Sequence, residues 1–250
     1  MDLSLDNKVA LVTGASRGIG QAIAMGLARS GADVVIASRK IADLEKVASE
    51  IQKTGRKCLA VAAHIGRIED INNLVGKAME EFGRIDILVN NAATNPSMAS
   101  AIDIDERAWD SIMNLNLKGL FFLSQAVARI MREKGGGKII NVSSIAGISP
   151  DMLPIYSISK AAVIMATKVM AQQWAPFKIR VNAIAPGLTK TRFSEALWKN
   201  ADILKMATST TPMARIGEPE EMVGAILYFA SDASSYVTGQ VMAIDGGKTI

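Results

Sequence analysis

Short runs of β-branched and other apolar residues alternate with longer helical patterns along almost the whole chain, and this alternation constrains the fold most. The apolar runs are continuous rather than interrupted at every second position, which is typical of strands buried on both faces of a parallel sheet. We therefore predict an α/β fold with a doubly wound, seven-stranded parallel sheet and helices on both faces. The predicted strands are KVALVT, DVVIAS, CLAVAA, DILVNN, KIINVSS, IRVNAIA and QVMAID, and the predicted helices span residues 18–29, 41–54, 68–82, 107–132, 155–174 and 219–230.

Length and charge narrow the possible functions. A chain of 250 residues with no break in composition is expected to form one domain, residues 1–250. The net charge of +4 is spread along the chain, and there is one histidine, so neither a nucleic-acid surface nor a histidine metal site is expected. No apolar run approaches the ~20 residues of a membrane helix, no export leader is visible, and Cys58 stands alone in an apolar run. We expect a cytoplasmic protein with Cys58 as a buried, unreactive thiol.

A glycine-rich turn, TGASRGIG, follows the first predicted strand and opens the first predicted helix. Gly14, Gly18 and Gly20 would let the backbone approach a pyrophosphate closely, while the N-terminus of the helix offers N–H groups and a positive dipole end. Ligands of such sheets bind beyond the carboxyl ends of the strands, where this turn lies. A glycine triplet alone is equally compatible with a structural turn, but its position favours dinucleotide binding.

The end of the second predicted strand indicates which dinucleotide is bound. NAD-binding proteins usually have an acidic residue there, whereas a basic residue accommodates the 2′-phosphate of NADP. This strand ends in Ser38 and Arg39, and Arg17 lies within the glycine-rich turn. Guanidinium groups suit phosphate as bidentate donors. We predict that the protein binds NADP(H) in preference to NAD(H). The alternative is that Arg39 is an ordinary solvated surface residue and that the protein uses NAD(H).

Tyr156 and Lys160 are four residues apart in a predicted helix and therefore share one face. A nearby ammonium favours the phenolate, so the pair is expected to be an acid/base that titrates closer to neutral pH. Upstream, the predicted strand KIINVSS ends in Ser143 and Ser144, where a hydroxyl could bind a carbonyl oxygen beside the tyrosine. Such a pair on its own would more often be part of an ordinary amphipathic helix, but the adjacent serines favour a reaction centre.

Taken together, these motifs resemble those of the short-chain dehydrogenase/reductase family over essentially the whole chain. The family's TGxxxGxG matches Thr13 to Gly20 and its YxxxK matches Tyr156 to Lys160. NNAA stands where the family has NNAG, with Ala93 in place of the glycine, and NAIAPGLTKT resembles the family's PG motif. The resemblance implies a single-domain Rossmann fold and an oxidoreductase that transfers hydride between NADP(H) and a carbonyl or secondary alcohol.

The resemblance also implies roles for individual residues. Ser144 would be the catalytic serine and Ser143 structural, while Asn116 would anchor a water molecule to Lys160. Asn90 would lie by the adenosine ribose, and His64 stands where the family has an aspartate that touches adenine. Thr189 would bind the carboxamide through its backbone, and Thr191 would offer its hydroxyl to the pyrophosphate. The full set implied to contact the cofactor is Gly14, Ser16, Arg17, Gly18, Ile19, Gly20, Ser38, Arg39, His64, Ile65, Asn90, Ala92, Tyr156, Lys160, Pro186, Gly187, Thr189 and Thr191.

Residues 188–212 interrupt the alternation of strands and helices with an insertion that has its own apolar helical pattern. This length suggests a substrate lid, with an extra surface helix as an equal alternative. A mostly apolar pocket is expected, suited to a moderately hydrophobic carbonyl or alcohol, although a thioester or sugar remains compatible. Met206 and Met213 are explained equally well by packing. The predicted pocket residues are Asn95, Ile145, Met152, Leu153, Leu188, Arg192, Phe193 and Trp198.

The resemblance also bears on the assembly of the protein and on alternative functions. The resemblance implies a homotetramer in which the predicted helices 107–132 and 155–174 pack across one interface and the C-terminal segment packs across another. The alternatives to a carbonyl reductase are an NAD(H)-preferring alcohol dehydrogenase and a dinucleotide-binding sensor or scaffold without chemistry. The presence of Ser144, Tyr156, Lys160 and Asn116 together argues against the sensor.

Overall fold

The protein is built around one parallel sheet, as described by a computed structural model that covers residues 3–250. The strand order is β3-β2-β1-β4-β5-β6-β7, and every neighbouring pair is parallel. This confirms the predicted doubly wound α/β fold with seven strands. The strands are β1 (Val9–Thr13), β2 (Asp33–Ser38), β3 (Cys58–Ala62), β4 (Ile87–Asn90), β5 (Gly137–Val142), β6 (Ile179–Pro186) and β7 (Val241–Ile244).

Helices cover both faces of the sheet. Helices α1, α2 and α9 pack on one apolar cluster, and α3, α5 and α6 pack on a second cluster across the sheet. The inner strands β1 and β4 are buried along their whole length, which explains their continuous apolar sequences. The helices are α1 (Gly18–Arg29), α2 (Ile41–Gln52), α3 (Ile68–Phe82), α4 (Glu106–Met113), α5 (Leu120–Glu133), α6 (Pro154–Trp174), α7 (Glu195–Trp198), α8 (Ala201–Ser209) and α9 (Val223–Ala230).

The order of the strands reverses between β1 and β4. From β1 the chain moves outward through β2 and β3, returns to the other side of β1 at β4, and continues outward to β7. Val12 of β1 lies opposite Val89 of β4, so both strands end at the same level. The loops that leave these two strands therefore diverge and open a crevice, which is where ligands bind in open sheets of this kind.

The region predicted as one helix over residues 107–132 differs in detail from the expectation. The chain forms α4, then a π-helical turn at Asn114–Gly119, and then α5. A Cβ atom on Gly119 would collide with the carbonyl oxygen of Ile65, so the glycine permits the close approach of this turn to the loop after β3. The continuous helical pattern predicted from the sequence did not reveal this turn.

Two other predicted segments have more structure than expected. The predicted helix 219–230 begins as a 3₁₀ turn at Pro219–Met222 before α9. The insertion 188–212 contains the two short helices α7 and α8. Within residues 3–250, no helix has both the length and the apolar composition required to span a bilayer.

Candidate active site

A cavity of about 1420 Å³ opens at the carboxyl ends of the strands, beside the point where their order reverses. It is lined by the glycine-rich turn, the ends of β2, β5 and β6, the start of α6, and the insertion 188–212. Every residue predicted from the sequence to contact the cofactor lines this cavity except Asn90, and so does Ser144. The structure therefore brings together residues that are up to 177 positions apart in the sequence, from Gly14 to Thr191.

The glycine-rich turn is shaped to receive an anion. Gly14 and Gly18 have φ angles of 65° and 56°, a region that disfavours other residues. A Cβ atom on Gly20 would collide with the carbonyl oxygen of Gly14 and the amide of Asn91. The N-terminus of α1 has no side-chain cap and no acidic residue in its first turn, so its N–H groups and positive dipole end are free for a pyrophosphate. The residues present thus fit a dinucleotide.

Asn91 holds this turn in place, a role that the sequence analysis missed. Its side-chain amide donates to the carbonyl oxygens of Thr13 at 2.9 Å and Gly14 at 3.2 Å. The Thr13 hydroxyl in turn accepts the backbone N–H groups of Asn91 and Ala92 at 3.0 and 3.1 Å. The signal was present in the NNAA motif, but the importance of its second asparagine depends on a contact across two strands.

The predicted 2′-phosphate site has the expected residues and one that was not expected. Arg17, Ser38 and Arg39 all line the cavity, and the buried Ser38 hydroxyl has no hydrogen-bond partner among residues 3–250. A buried hydroxyl of this kind is available to a ligand. Asp43, in the first turn of α2, also lines the cavity. It was missed because it lies five residues beyond the end of β2, after the start of the next helix.

Asn90 does not reach the cavity with its side chain, which corrects the prediction. The side chain is 3% exposed and donates to Ser124 Oγ at 2.8 Å and to Asn141 Oδ1 at 2.9 Å. Asn141 in turn donates to Thr167 at 2.9 Å. Strand β4 has helices on both faces, so the side chain of Asn90 turns into a buried polar network that links β4 and β5 to α5 and α6.

Ser144, Tyr156 and Lys160 meet on one wall of the cavity. The Lys160 ammonium donates to the carbonyl oxygen of Val142 at 2.8 Å and lies 5.5 Å from the centre of the Tyr156 ring. The Tyr156 hydroxyl is hydrogen-bonded to Ser144. Ser143 is buried and donates to the backbone carbonyl of Lys160 at 2.8 Å, which joins the end of β5 to α6 and agrees with the structural role predicted for it.

The pKa of Tyr156 moves in the direction opposite to the prediction. Burial raises the pKa of Tyr156 to about 12, the hydrogen bond to Ser144 opposes this rise, and the negative charge of Asp151 adds to it. Burial lowers the pKa of Lys160 to about 8. The expectation of a phenol poised near neutral pH was thus wrong for the chain alone, because desolvation of the phenolate outweighs the nearby ammonium. At pH 7 Tyr156 is protonated and Lys160 is mostly charged.

Asn116 lies in the π-helical turn and is completely buried, outside the cavity lining. Its Oδ1 accepts the backbone N–H of Thr94 at 2.8 Å, and its Nδ2 donates to the Thr94 carbonyl at 3.0 Å and to Ser159 Oγ at 3.1 Å. The side chain therefore ties the loop after β4 to α6. Its predicted role in holding a water molecule for Lys160 stays a prediction.

His64 lines the cavity with a defined hydrogen-bonding pattern. Its ring Nδ1 accepts the backbone N–H of Gly66 at 3.1 Å, and its backbone N–H donates to the Asp70 carboxylate at 2.7 Å. In the neutral ring the proton is therefore assigned to Nε2, which acts as a donor. Cys58 is partly buried and burial raises the pKa of its thiol to about 12, in agreement with the prediction of an unreactive thiol.

The insertion 188–212 closes one side of the cavity. Phe193 places its ring 5.8 Å from the ring of Tyr156. Trp198 was predicted to line the pocket but does not, because its indole N–H donates to the carbonyl oxygen of Thr191 at 2.8 Å and fixes the base of the insertion. The other predicted pocket residues do line the cavity: Asn95, Ile145, Met152, Leu153, Leu188, Arg192 and Phe193.

The chain after β7 also contributes to the cavity, which the sequence analysis did not predict. Asp245, Gly246, Lys248, Thr249 and Ile250 line it. The Asp245 carboxylate accepts hydrogen bonds from the backbone N–H groups of Gly247 and Thr249, both at 2.9 Å. No local signal in the sequence points to this role, because it depends on the pairing of β7 with β6. Among residues 3–250, no cluster of three or more His, Cys, Asp or Glu side chains is arranged to hold a metal ion.

Comparisons with known proteins agree with the fold and with the cavity. Residues 14–249 match the family model described as enoyl-(acyl carrier protein) reductase. The chain is 41% identical over 244 residues to human dehydrogenase/reductase SDR family member 4, covering 97% of this chain and 88% of the relative. It is 41% identical over 246 residues to 2-dehydro-3-deoxy-D-gluconate 5-dehydrogenase of Dickeya dadantii, covering 98% and 96%.

Solved structures extend this comparison. The crystal structure of a gluconate 5-dehydrogenase from Burkholderia cenocepacia in complex with NADP and tartrate superimposes with a TM-score of 0.95 at 35% identity, covering 99% of this chain and 97% of that one. Three further similar structures also contain NADP. The sequence of this protein matches these relatives across nearly its whole length. The chain therefore belongs to the short-chain dehydrogenase/reductase family of oxidoreductases.

Proposed function

We propose that this protein transfers hydride between NADP(H) and a carbonyl or secondary alcohol, with Tyr156 as the general acid or base. The observation that carries this proposal is the convergence of Ser144, Tyr156 and Lys160 on one wall of the cavity that also contains the glycine-rich turn. This arrangement places a hydroxyl pair where a substrate oxygen can bind. The relatives named as dehydrogenases of gluconate-type compounds support chemistry at a carbonyl or alcohol carbon.

The proposed preference for NADP(H) rests on three side chains at one end of the cavity. Arg17 and Arg39 provide guanidinium groups, and the buried hydroxyl of Ser38 has no hydrogen-bond partner in the part of the chain that the structure describes. Together they would bind the 2′-phosphate as charge-assisted and neutral donors. Asp43 lines the same cavity and would favour a 2′-hydroxyl instead. Two cations outweigh one carboxylate, and bound NADP in four similar structures supports the same choice.

The protonation states of Tyr156 and Lys160 suit reduction of a carbonyl at neutral pH. A bound nicotinamide supplies hydride to the carbonyl carbon. Ser144 holds the carbonyl oxygen, and Tyr156 donates its phenolic proton to that oxygen. Burial raises the pKa of Tyr156 to about 12, so its hydroxyl is protonated at neutral pH. The Lys160 ammonium then stabilises the phenolate that remains. In the oxidative direction the same residues act in reverse, and the phenolate accepts the alcohol proton.

Assembly is a separate part of the proposal. The outer faces of α5 and α6 carry half-exposed apolar residues, including Phe122, Ile158, Met165 and Val169. Covering these faces with those of a second copy would remove apolar surface from water. We infer a homotetramer that uses this face, and light scattering of the purified protein would test it, with a monomer as the contrary result.

The test of the proposed function is oxidation of NADPH and, separately, NADH by the purified protein against a panel of ketones and aldehydes. Turnover that is faster with NADPH than with NADH is the expected result. A preference for NADH would overturn the cofactor assignment and leave the reaction type intact. If both cofactors bind but neither the carbonyl panel nor a matching alcohol panel reacts, the protein is a dinucleotide-binding sensor and the proposed reaction is wrong.

A further inference from the structure

Six large apolar side chains stand half in solvent around the entrance to the cavity. Met98, Ile148, Met152, Phe193, Met206 and Met213 are each between 47% and 59% exposed, and all six line the same cavity. We call this group the apolar mouth. A cluster of exposed apolar groups is unusual on a folded protein and commonly marks a binding site. The exposure of Met206 and Met213 favours a binding role over simple packing.

The apolar mouth is continuous with the reaction centre. Its members come from three parts of the chain: Met98 follows β4, Ile148 and Met152 follow β5, and the others lie in the insertion 188–212 or, for Met213, directly after it. The ring of Phe193 lies 5.8 Å from that of Tyr156. A molecule whose reacting oxygen contacts Tyr156 would therefore extend directly along these side chains. Its occupant is the substrate itself rather than a separate ligand.

Four of the six residues that form the apolar mouth have flexible side chains. Met98, Met152, Met206 and Met213 are methionines, whose unbranched, polarisable side chains adapt to different shapes. Sites that accept varied apolar partners use methionine in this way. The composition of the apolar mouth thus indicates tolerance for apolar groups of several shapes rather than selection of a single one.

Two cationic side chains near the apolar mouth already have partners. Arg215 forms a 2.6 Å ion pair with Glu221, and Lys248 donates to the hydroxyl of Thr210. Arg192 is exposed, and its charge contributes least to the lowered pKa of Glu195, which the hydrogen bond from Lys199 lowers first. A substrate carboxylate would have to compete with Glu221 for Arg215.

Asp151 makes this part of the cavity still less suitable for an anion. It lines the cavity at the loop between Ile148 and Met152, and its negative charge is felt at Tyr156. A substrate carboxylate bound here would meet like charge. This differs from what a sugar acid, the compound named for several similar proteins, would require beside the reacting carbon.

We propose that the substrate of this chain is an uncharged ketone or secondary alcohol that carries a bulky aryl or alkyl group, and that the apolar mouth receives this group. The proposal rests on the proposed function, because it assumes that Tyr156 is the reacting residue. Burial of the substituent against Phe193 and the four methionines would supply the binding free energy.

The test compares three substrate series with the same preparation and NADPH. The first contains methyl ketones of increasing chain length, the second contains phenyl and naphthyl methyl ketones, and the third contains 2-dehydro-3-deoxy-D-gluconate and gluconate, the latter with NADP. We expect kcat/KM to rise about threefold for each added CH₂ group until the mouth is filled. Sugar acids should react at least about 100-fold more slowly than the best ketone.

Substitutions distinguish the apolar mouth from the reaction centre. Met206→Gln and Met213→Gln keep the length of the side chain, and together they should lower kcat/KM for the naphthyl ketone about tenfold while changing that for acetone less than twofold. The matched control is Ile68→Gln, because Ile68 is 42% exposed at the start of α3 but lies outside the cavity lining. It should change neither value.

The outcomes separate this proposal from the proposed function. If sugar acids react best, or if chain length has no effect on ketone turnover, the apolar substrate class is wrong while hydride transfer stands. If no carbonyl compound or alcohol reacts, the proposed function fails instead. In that case calorimetry with naphthyl methanol and NADPH decides whether the apolar mouth binds an aryl group. A negative heat-capacity change on binding supports it, and no binding overturns it.

Discussion

The two ends of the cavity are built on different principles. At the dinucleotide end, the site is made of backbone: glycines without Cβ atoms, free N–H groups of α1, and a turn held by Asn91 and Thr13. At the substrate end, the site is made of half-exposed apolar side chains. A surface of fixed backbone binds one kind of ligand, whereas a surface of flexible side chains adapts to many. The difference shows how one chain can be strict about its cofactor and tolerant of its substrate.

The strongest test removes the residue that joins the two ends. Tyr156→Phe deletes the proton donor but keeps the ring beside Phe193, so kcat should fall about 1,000-fold or more. Binding of NADPH, measured by calorimetry, should change little because the dinucleotide end is intact. Turnover within tenfold of the unmodified protein would show that another group moves the proton.

A rigid dinucleotide end should not tolerate even one added methyl group. Gly20→Ala places a Cβ atom against the Gly14 carbonyl and the Asn91 amide, so the dissociation constant for NADPH should rise about 100-fold. Fluorescence titration measures the effect. The control is Gly76→Ala in α3, where a Cβ atom meets nothing within 4 Å. That change should leave binding unchanged and stabilise the protein by about 0.5–1 kcal/mol.

The cofactor preference gives a smaller effect at the same end. Arg39→Ala removes one proposed donor to the 2′-phosphate, so affinity for NADPH should fall about tenfold while affinity for NADH stays constant. An equal loss of affinity for NADPH and NADH would indicate that Arg39 contacts a part of the dinucleotide that both cofactors share. Arg29→Ala, at the far end of α1 and outside the cavity lining, is the control.

The smallest predicted effect concerns stability rather than binding. The pKa of Lys160 is lowered from 10.5 to about 8 in the folded chain, so between pH 8 and 9 the unfolded chain holds more protons at this position. The free energy of unfolding should therefore rise by about 1 kcal/mol across this interval. The raised pKa of Cys58 acts in the opposite direction from about pH 8, because the unfolded thiol titrates around 9.0, and it removes about 0.4 kcal/mol from the contribution of Lys160. Above pH 9 the raised pKa of Tyr156 also acts in this opposite direction.

Urea unfolding at pH 8 and pH 9 measures this rise. Lys160→Met, which keeps the length of the side chain without the charge, should abolish it. A rise that persists in the variant would assign the effect to another group and would mean that Lys160 is better solvated than its 2% exposure indicates.

Local sequence spacing predicted some residues of the cavity and failed for others. The glycine-rich turn, Ser38 and Arg39, and the pairing of Tyr156 with Lys160 follow from short-range spacing on a strand, turn or helix, and all were predicted correctly as cavity residues. The inward turn of Asn90 and the bond from Trp198 to Thr191 depend on which surfaces pack together in three dimensions. Local periodicity carries no information about such contacts.

The direction of the Tyr156 pKa shift was missed for a related reason. Spacing shows that Lys160 is near, but the cost of desolvating the phenolate depends on everything that surrounds it, including Asp151 and the walls of the cavity. The lining contributed by residues 245–250 was likewise invisible, because a strand pairing fixes where that segment lies.

The π-helical turn at Asn114–Gly119 has a consequence for protein engineering. Such a turn contains one residue more than regular α-helix, so deleting a single residue there would yield a longer and more regular helix. The deletion would also rotate α4 relative to α5 by roughly 100° and carry Asn116 away from Thr94 and Ser159. The π-helical turn thus sets the rotation of α4 relative to α5. A redesign that replaced it with regular α-helix would lose the hydrogen bonds of Asn116 that tie the loop after β4 to α6.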